Sequence, residues 1–370
     1  MSNDRALARI DLGAIRQNAR RLAAAAGRAE LMAVVKADGY GHGAVPVARA
    51  ALRGGAASLG VVTAGELRQL REAGIEAPVL VMGPLELAEV AAIDGCDVVA
   101  WTPDFVERAG AVGRERGGVV RLHLKLDTGM GRLGARPEDI AGLVEVAAGT
   151  EGVEVVGVMT HFATADETEG PNAGFFREQL VRFRARFAEV KECFPSARAH
   201  AANSAAVLRD PGSSFDIVRC GIALYGGDPF GDDPDARGLR PALSLHSWLA
   251  AVKPLSSRDS AGYGRRYRAP RATRIGVIPI GYGDGYARSL SGANVLIGSR
   301  EVPVVGAVSM DQITVDLGPE GEEQVGDPVV LIGRQGSARI TIEDLARVGQ
   351  TINYEVTCSL STRVRREYVE

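Results

Sequence analysis

The sequence predicts an α/β fold class: a (β/α)8 TIM-like barrel over residues 1–235, followed by a C-terminal all-β domain over residues 236–370. Three observations carry this. Short apolar runs rich in β-branched residues alternate with helical patterns through the first part of the chain. Eight such runs fit the roughly 200–250 residues of a parallel barrel. After residue 235 the texture changes to short strands bounded by Gly, Pro and Asp, with little helix. On pattern alone, a doubly wound open sheet is the alternative for the first part.

The elements follow in order. Leu12, Ile15, Ala19 and Leu22 recur at spacings of three and four, which makes 12–27 an amphipathic helix. LMAVV (31–35) is the first strand. SLGVV (58–62) runs into a helix that opens with Thr63 and Glu66, the spacing of a capping box. PVLVM (78–82) precedes a helix across 84–94. DVVAW (97–101) precedes Thr102-Pro103, a cap residue with proline at the first helical position. VVRLHLKL (119–126) and VEVVGVMT (153–160) come next, separated by a helical stretch. ARAHAA (197–202) and FDIV (215–218) complete the eight, although ARAHAA has poor β propensity.

The segment DPFGDDPDARG (228–238) reads as a linker. Beyond it, LSLHSWLAAV (243–252), TRIGVIPI (273–280), ANVLIG (293–298), VPVVGAVSM (302–310), QITVDL (312–317) and PVVLIG (328–333) supply the strands of the second domain.

Composition excludes several function classes. With 43 Lys+Arg against 46 Asp+Glu and a formal net charge of −3, neither nucleic acid nor an anionic membrane is expected as a partner. Aromatics at 5% argue against base stacking. Cys96, Cys193, Cys220 and Cys358 form no C-x-x-C pair and have no histidines at zinc-site spacing, so no metal site is expected. Free thiols suit a reducing compartment. MSNDRALARIDL has no apolar signal segment, and no run approaches the ~18 apolar residues of a membrane span. A soluble cytoplasmic protein is the expectation.

Position then singles out the polar residues. Barrel chemistry sits at the C-terminal ends of the strands. Lys36 ends the first predicted strand, Lys125 and Asp127 the fifth, His161 the sixth, Asn203 and Ser204 the seventh, and Arg219 the eighth. In the fifth strand Arg121, His123 and Lys125 alternate with leucines, so these polar side chains aim at the barrel axis, where a filled, hydrogen-bonded interior is the simplest role for Arg121 and His123. The loops after the last two strands carry Ser204 and Cys220-Gly221-Ile222, a hydroxyl and backbone N–H groups suited to phosphate. A lysine across the same mouth from a phosphate cradle suggests a phosphate-bearing aldehyde held as an imine.

The motifs carry a resemblance. AVVKADGYGHG resembles the pyridoxal-phosphate attachment signature of the alanine racemases. The similarity continues in order through LDTGMGRLG (126–134), MTHFATADE (159–167), RCGIALYG (219–226), GYGRRY (262–267), GYGDGYAR (281–288), VGAVSMDQ (305–312) and TINYEV (351–356). It spans both expected domains.

What the resemblance implies can be stated residue by residue. The cofactor is pyridoxal 5'-phosphate, carried by Lys36. Tyr40, Ser204, Gly221, Ile222 and Tyr354 hold its phosphate, with Asn203 beside them. Arg219 faces the pyridine nitrogen; an arginine has no proton acceptor to offer, so the ring stays largely unprotonated and the substrate carbanion short-lived. Lys36 and Tyr263 act as bases on opposite faces of the substrate. A phenol with an intrinsic pKa of about 10 is mostly protonated at pH 7; nearby positive charge, with His161 linked to Arg219, favours its ionised form. Tyr263 reaches the site from the second copy of a homodimer. Arg132 and the backbone N–H of Met310 take the substrate carboxylate, Tyr282 and Asp311 line the entrance, and Lys125 matches a position that is carbamylated in some relatives, where it orients Arg132. The implied reaction interconverts L- and D-alanine, with supply of D-alanine for a bacterial cell wall as its usual setting.

The chain departs from the family at several positions. Ala307-Val308-Ser309 stands where Arg-Val-Cys is frequent, Cys220 and Arg365 where proline is common, and Gly39 where alanine is frequent. None removes a base or a phosphate ligand. Ala307 and Ser309 touch the region that sizes the substrate pocket, which keeps a racemase of another small amino acid such as serine as an alternative. A non-catalytic pyridoxal-phosphate-binding barrel is a second, but such relatives typically lack a β domain.

Overall fold

The computed structural model describes residues 4–370. The chain divides into two compact units. One holds Ile15–Gly39 and Ala44–Leu224; the other holds the chain up to Ala14 with Tyr40–Gly43 and Tyr225–Glu370.

Numbered along the chain, β1 (Leu7–Asp11) belongs to the second of these units. The first is built on β2 (Glu30–Val34), β3 (Ser58–Val61), β4 (Val79–Val81), β5 (Asp97–Ala100), β6 (Val120–Lys125), β7 (Val153–Met159), β8 (Arg198–His200) and β9 (Ile217–Cys220). These pair in the order β8-β7-β6-β5-β4-β3-β2-β9, all parallel. Two backbone bonds draw the ends together: Asp216 N–H donates to Ala199 O (3.0 Å) and Arg219 N–H to Ala202 O (2.9 Å). The expected barrel is borne out. Strands as short and apolar as the wholly buried Val-Leu-Val of β4 persist only when covered on both faces.

Local chemistry sets the helices between them. Thr63 and Glu66 close a capping box on Ala64–Glu72. Thr102 accepts the Phe105 N–H ahead of Pro103–Glu115, with proline in the first turn. Met32, Leu80, Val99, Met159 and Ile217 form one buried cluster. In β6, His123 and Lys125 are buried among leucines, while Arg121 at the strand's start stays exposed.

The last barrel strand starts two residues later than FDIV suggests. Phe215 packs edge-on against Phe183 (5.0 Å between centroids), and the Asp216 carboxylate accepts the Ala199 N–H (2.7 Å). Both residues therefore finish the preceding loop.

The second unit adds β10 (Leu243–Trp248), β11 (Ala251–Leu255), β12 (Ser260–Ala261), β13 (Tyr267–Arg268), β14 (Thr273–Ile278), β15 (Asn294–Ile297), β16 (Arg300–Val305), β17 (Ile313–Gly318), β18 (Pro328–Gln335), β19 (Ala338–Ile340) and β20 (Arg365–Val369). Its main sheet runs β11-β14-β17-β16-β15-β18-β10-β1-β20, with β19 on β18; β12 and β13 pair separately. The sequence reading gave Leu7–Asp11 no strand. Its burial alternates only from Ala8 on, and its partners lie far away in the chain: Leu7 faces His246 on one side and Arg365 on the other. Two helices, Ile342–Gly349 and Asn353–Cys358, exceed the little helix expected; Thr341 and Asp344 cap the first with a capping box. No helix is long and apolar enough to cross a membrane.

Candidate active site

Lys36 directly follows β2 and opens a left-handed turn. Ala37, Asp38, Gly39 and Tyr40 have φ of 53°, 50°, 61° and 53°. Left-handed backbone costs a non-glycine residue roughly 1–2 kcal/mol, so neighbouring bonds must hold it. The Ala37 N–H donates to Glu66 Oε1 (2.7 Å), the Gly39 N–H to Val35 O (2.9 Å), and the Ala44 N–H to Asp38 Oδ1 (2.9 Å). The Glu66 that caps a helix thus also anchors the lysine's turn. Strain held in this way fixes a side chain's origin and is common at functional sites.

Arg219, on β9, is 4% exposed. Its Nη1 donates to His200 Nδ1 (3.0 Å) and His200 O (2.8 Å); its Nη2 donates to Thr160 O (2.7 Å), Ala201 O (3.2 Å) and His161 Nδ1 (3.3 Å). Among the described residues nothing accepts from Nε. Burial lowers the guanidinium to about 10, which leaves it charged at neutral pH.

Lys125 and His161 end β6 and β7, and their protonation reports what surrounds them. Burial, then Arg132, Arg219 and Lys36, lower the Lys125 amine to about 8; Asp127 opposes them. Burial, then Arg219, Arg132, Lys125 and Lys36, lower His161 to about 3, so it is neutral. One mouth of the barrel therefore gathers Lys36, Lys125, Arg132, His161 and Arg219. Asp127, the carboxylate opposing them, is committed to its own loop: it accepts N–H groups from Gly129, Met130 and Gly131 (2.8–3.2 Å). The Asp127 N–H also donates to Ala135 O and the Ala135 N–H to Lys125 O (both 2.8 Å), closing the loop that carries the exposed Arg132.

A stability consequence follows for Lys125. A base whose folded-state pKa lies below its unfolded value costs stability at every pH below the folded one. The cost fades as pH rises from about 8 to the ordinary 10.5. At about 1.4 kcal/mol per pKa unit this is about 3 kcal/mol for a side chain so deeply buried. Lys125→Met is expected to gain about 2–3 kcal/mol in urea denaturation at pH 7, with the gain shrinking above about pH 8 and vanishing only above the ordinary 10.5. A loss of stability at pH 7 would contradict a strained cation there.

The phosphate candidates lie at the ends of β8 and β9. Buried Ser204 Oγ accepts the N–H groups of Gly221 (3.0 Å) and Ala223 (3.4 Å), while Asn203 Oδ1 accepts the Ala206 N–H (3.0 Å) and caps Ser204–Arg209. Ser204, Gly221 and Ile222 are thus brought together, and Asn203 shapes the loop.

In the other unit, Tyr40 stacks on Tyr225 (4.8 Å between centroids) and lies 6.1 Å from Tyr354. Sequence reasoning missed Tyr225, although it lies inside RCGIALYG, and it missed His200 on β8. Tyr263, Tyr282 and Met310 are 72%, 42% and 52% exposed, unusual for such side chains. Their loops adjoin. The Tyr282 and Gly283 N–H groups donate to Ser309 O (3.0 Å) and Met310 O (2.9 Å), and a Cβ on Gly262 would lie 3.4 Å from Ala307 N. Asp311 accepts from Arg363 Nη2 (2.6 Å). Nothing among the described residues accepts the Met310 N–H. No cluster of His, Cys, Asp or Glu among them could hold a metal ion.

The donor set suits pyridoxal phosphate: hydroxyl and amide donors for a phosphate, an uncommitted Nε–H for a ring nitrogen, and a lysine. Comparison with known proteins agrees. The alanine racemase N-terminal domain model matches residues 10–229 and the C-terminal domain model residues 242–368. The alanine racemase of Symbiobacterium thermophilum is 44% identical over 366 residues, covering 98% of this chain and 96% of its own. Alanine racemase 1 of Bacillus subtilis is 39% identical over 369 residues, covering 98% and 92%. Among solved structures, alanine racemase from D-cycloserine-producing Streptomyces lavendulae superposes with a TM-score of 0.94 at 39% identity, covering 100% of this chain and 98% of that one. The Bartonella henselae alanine racemase with covalently bound pyridoxal phosphate gives 0.87 at 28% identity, covering 98% and 99%.

Proposed function

The chain belongs to the alanine racemase family, enzymes that interconvert L- and D-alanine, and from that premise we propose that it works as a homodimer with pyridoxal 5'-phosphate on Lys36 and two bases, Lys36 and Tyr263 of the partner subunit. One observation carries the reading: a mouth lined by Lys36, Lys125, Arg132, His161 and Arg219, where the opposing carboxylate is tied up in its own loop. Such a field favours two anions, a phosphate and an amino-acid carboxylate.

Ser204, Gly221 and Ile222, with the hydroxyls of Tyr40 and Tyr354, hold the phosphate, and Asn203 fixes their loop. Arg219 offers its Nε–H to the ring nitrogen. Because a guanidinium has no proton acceptor, it keeps that nitrogen unprotonated. Arg132 and the N–H of Met310 of the partner subunit take the substrate carboxylate, and Tyr282 and Asp311 line the way in. Bound pyridoxal phosphate supplies an electron sink conjugated to the substrate Cα, which makes its C–H acidic. Lys36 Nζ removes the Cα proton of one enantiomer while the phenol of Tyr263 gives a proton to the opposite face; the other enantiomer reverses these roles. His161, neutral and accepting from Arg219, helps aim the guanidinium and moves no proton.

The exposure of Tyr263, Tyr282 and Met310 on adjoining loops supports a shared site, since a second copy would cover them. The free thiols of Cys96, Cys193 and Cys220 suit the cytoplasm, where we place the enzyme. Mixing tests the sharing. Lys36→Ala and Tyr263→Phe protein are each expected to be inactive. Subunit exchange between them makes heterodimers in which one of the two sites is intact. Random mixing then restores about a quarter of wild-type activity. No recovery after verified exchange would place both bases on one subunit.

A further inference from the structure

A chain of hydrogen bonds crosses the barrel interior from the start of β5 to β9. Arg219 Nη1 meets His200 Nδ1 at 3.0 Å, His200 Nε2 meets His123 Nδ1 at 2.7 Å, and His123 Nε2 meets Asp97 Oδ2 at 3.0 Å. Its direction is fixed by chemistry. Arginine can only donate, so His200 Nδ1 accepts. A neutral imidazole that accepts at one nitrogen donates at the other, so His200 Nε2–H donates to His123 Nδ1. By the same step His123 Nε2–H donates to the Asp97 carboxylate, which can only accept. Both histidines are thus neutral and protonated at Nε2.

We propose that Asp97, His123 and His200 are positioning residues for Arg219: their one-way chain clamps Nη1 so that Nε–H faces the ring nitrogen of the cofactor. The proposal rests on Arg219 facing that nitrogen.

Several features are built around the chain. Arg121 Nε donates to the other oxygen of Asp97 (2.7 Å). Burial raises the Asp97 carboxyl, but the bonds from His123 and Arg121 outweigh it and hold it below its ordinary value, so it stays an acceptor. Burial, followed by His123 and Arg219, keeps His200 neutral. Gly157 on β7 makes room for the crossing, since a Cβ there would stand 2.2 Å from His123 Nδ1. Outer partners that orient the ligands of a metal typically matter about 10–100-fold when removed, and a guanidinium aimed at a ring nitrogen is positioned by the same kind of bond.

Neutron diffraction from the perdeuterated holoenzyme reads the chain directly. Deuterium is expected on Nε2 and not on Nδ1 of both His123 and His200; deuterium on Nδ1 of either overturns the proposal, whatever any variant does. His123→Phe keeps the bulk and removes both polar atoms. It is expected to lower kcat about tenfold with little change in KM, because Arg219 does not touch the substrate. It should also shift the 15N resonance of ring-labelled pyridoxal phosphate. In His123→Gln the side-chain amide can accept from His200 and donate to Asp97, so both readouts should return toward wild type. Wild-type kcat and an unmoved resonance in His123→Phe, or no recovery in His123→Gln, would overturn the positioning role. Wild-type protein that binds no pyridoxal phosphate, with the histidines protonated as expected, would instead defeat the reading beneath it.

Discussion

Lys36→Ala is expected to abolish racemisation, by at least about 10⁴-fold, together with the absorption band near the visible edge that marks lysine-bound pyridoxal phosphate. In the proposed scheme the side chain serves twice, as attachment point and as base for one face of the substrate, so no partial function would survive. The turn from Ala37 to Tyr40 directs it: three backbone or side-chain bonds hold that left-handed stretch, and none depends on the amine. Against wild-type protein stripped of cofactor, so that lost ligand stabilisation is not counted, the variant should therefore show a closely similar melting curve, which separates lost chemistry from lost structure. An absorbance spectrum and a coupled assay in both directions check this. Normal racemisation by the variant would end the assignment.

Tyr263→Phe is expected to lower kcat/KM about 10²–10⁴-fold, the usual worth of a positioned acid or base. Racemisation in achiral solvent has an equilibrium constant of one, so the two directions must fall by the same factor even though one base is lost. Isotope exchange breaks that symmetry. In D2O the enantiomer whose Cα–H faces Lys36 should still exchange its proton without inverting; the other should not exchange. The side chain is 72% exposed in the single chain, so its removal should leave folding intact. Equal exchange from both enantiomers, or an unchanged rate, would rule out the two-base scheme.

Much of this architecture is legible in the sequence because barrel physics ties chemistry to strand ends. Once LMAVV, VVRLHLKL, VEVVGVMT and FDIV are read as strands, Lys36, Lys125, His161 and Arg219 fall at one rim, and the structure places them in one electrostatic neighbourhood. Three things were not legible. The strand Leu7–Asp11 has five residues and no local partner; only pairing with segments more than two hundred residues away defines it. The left-handed turn after Lys36 is hinted at only by Gly39 and, weakly, Asp38, since Ala37 and Tyr40 have no preference for that backbone. His123 looked like interior filling because its role depends on His200, 77 residues later in a strand with weak propensity. The first and third concern contacts between distant segments, which no local pattern encodes.

The position of the first strand constrains how the molecule is made. Leu7–Asp11 is synthesised long before its partners, yet it sits between strands that begin at Leu243 and Arg365. At roughly 5–20 residues per second of synthesis, its first neighbour arrives after tens of seconds and its second, which begins at Arg365, later still. Throughout that interval the nascent chain carries an unpaired strand that other chains can capture. A product cut short before Arg365 would keep one side of that strand open.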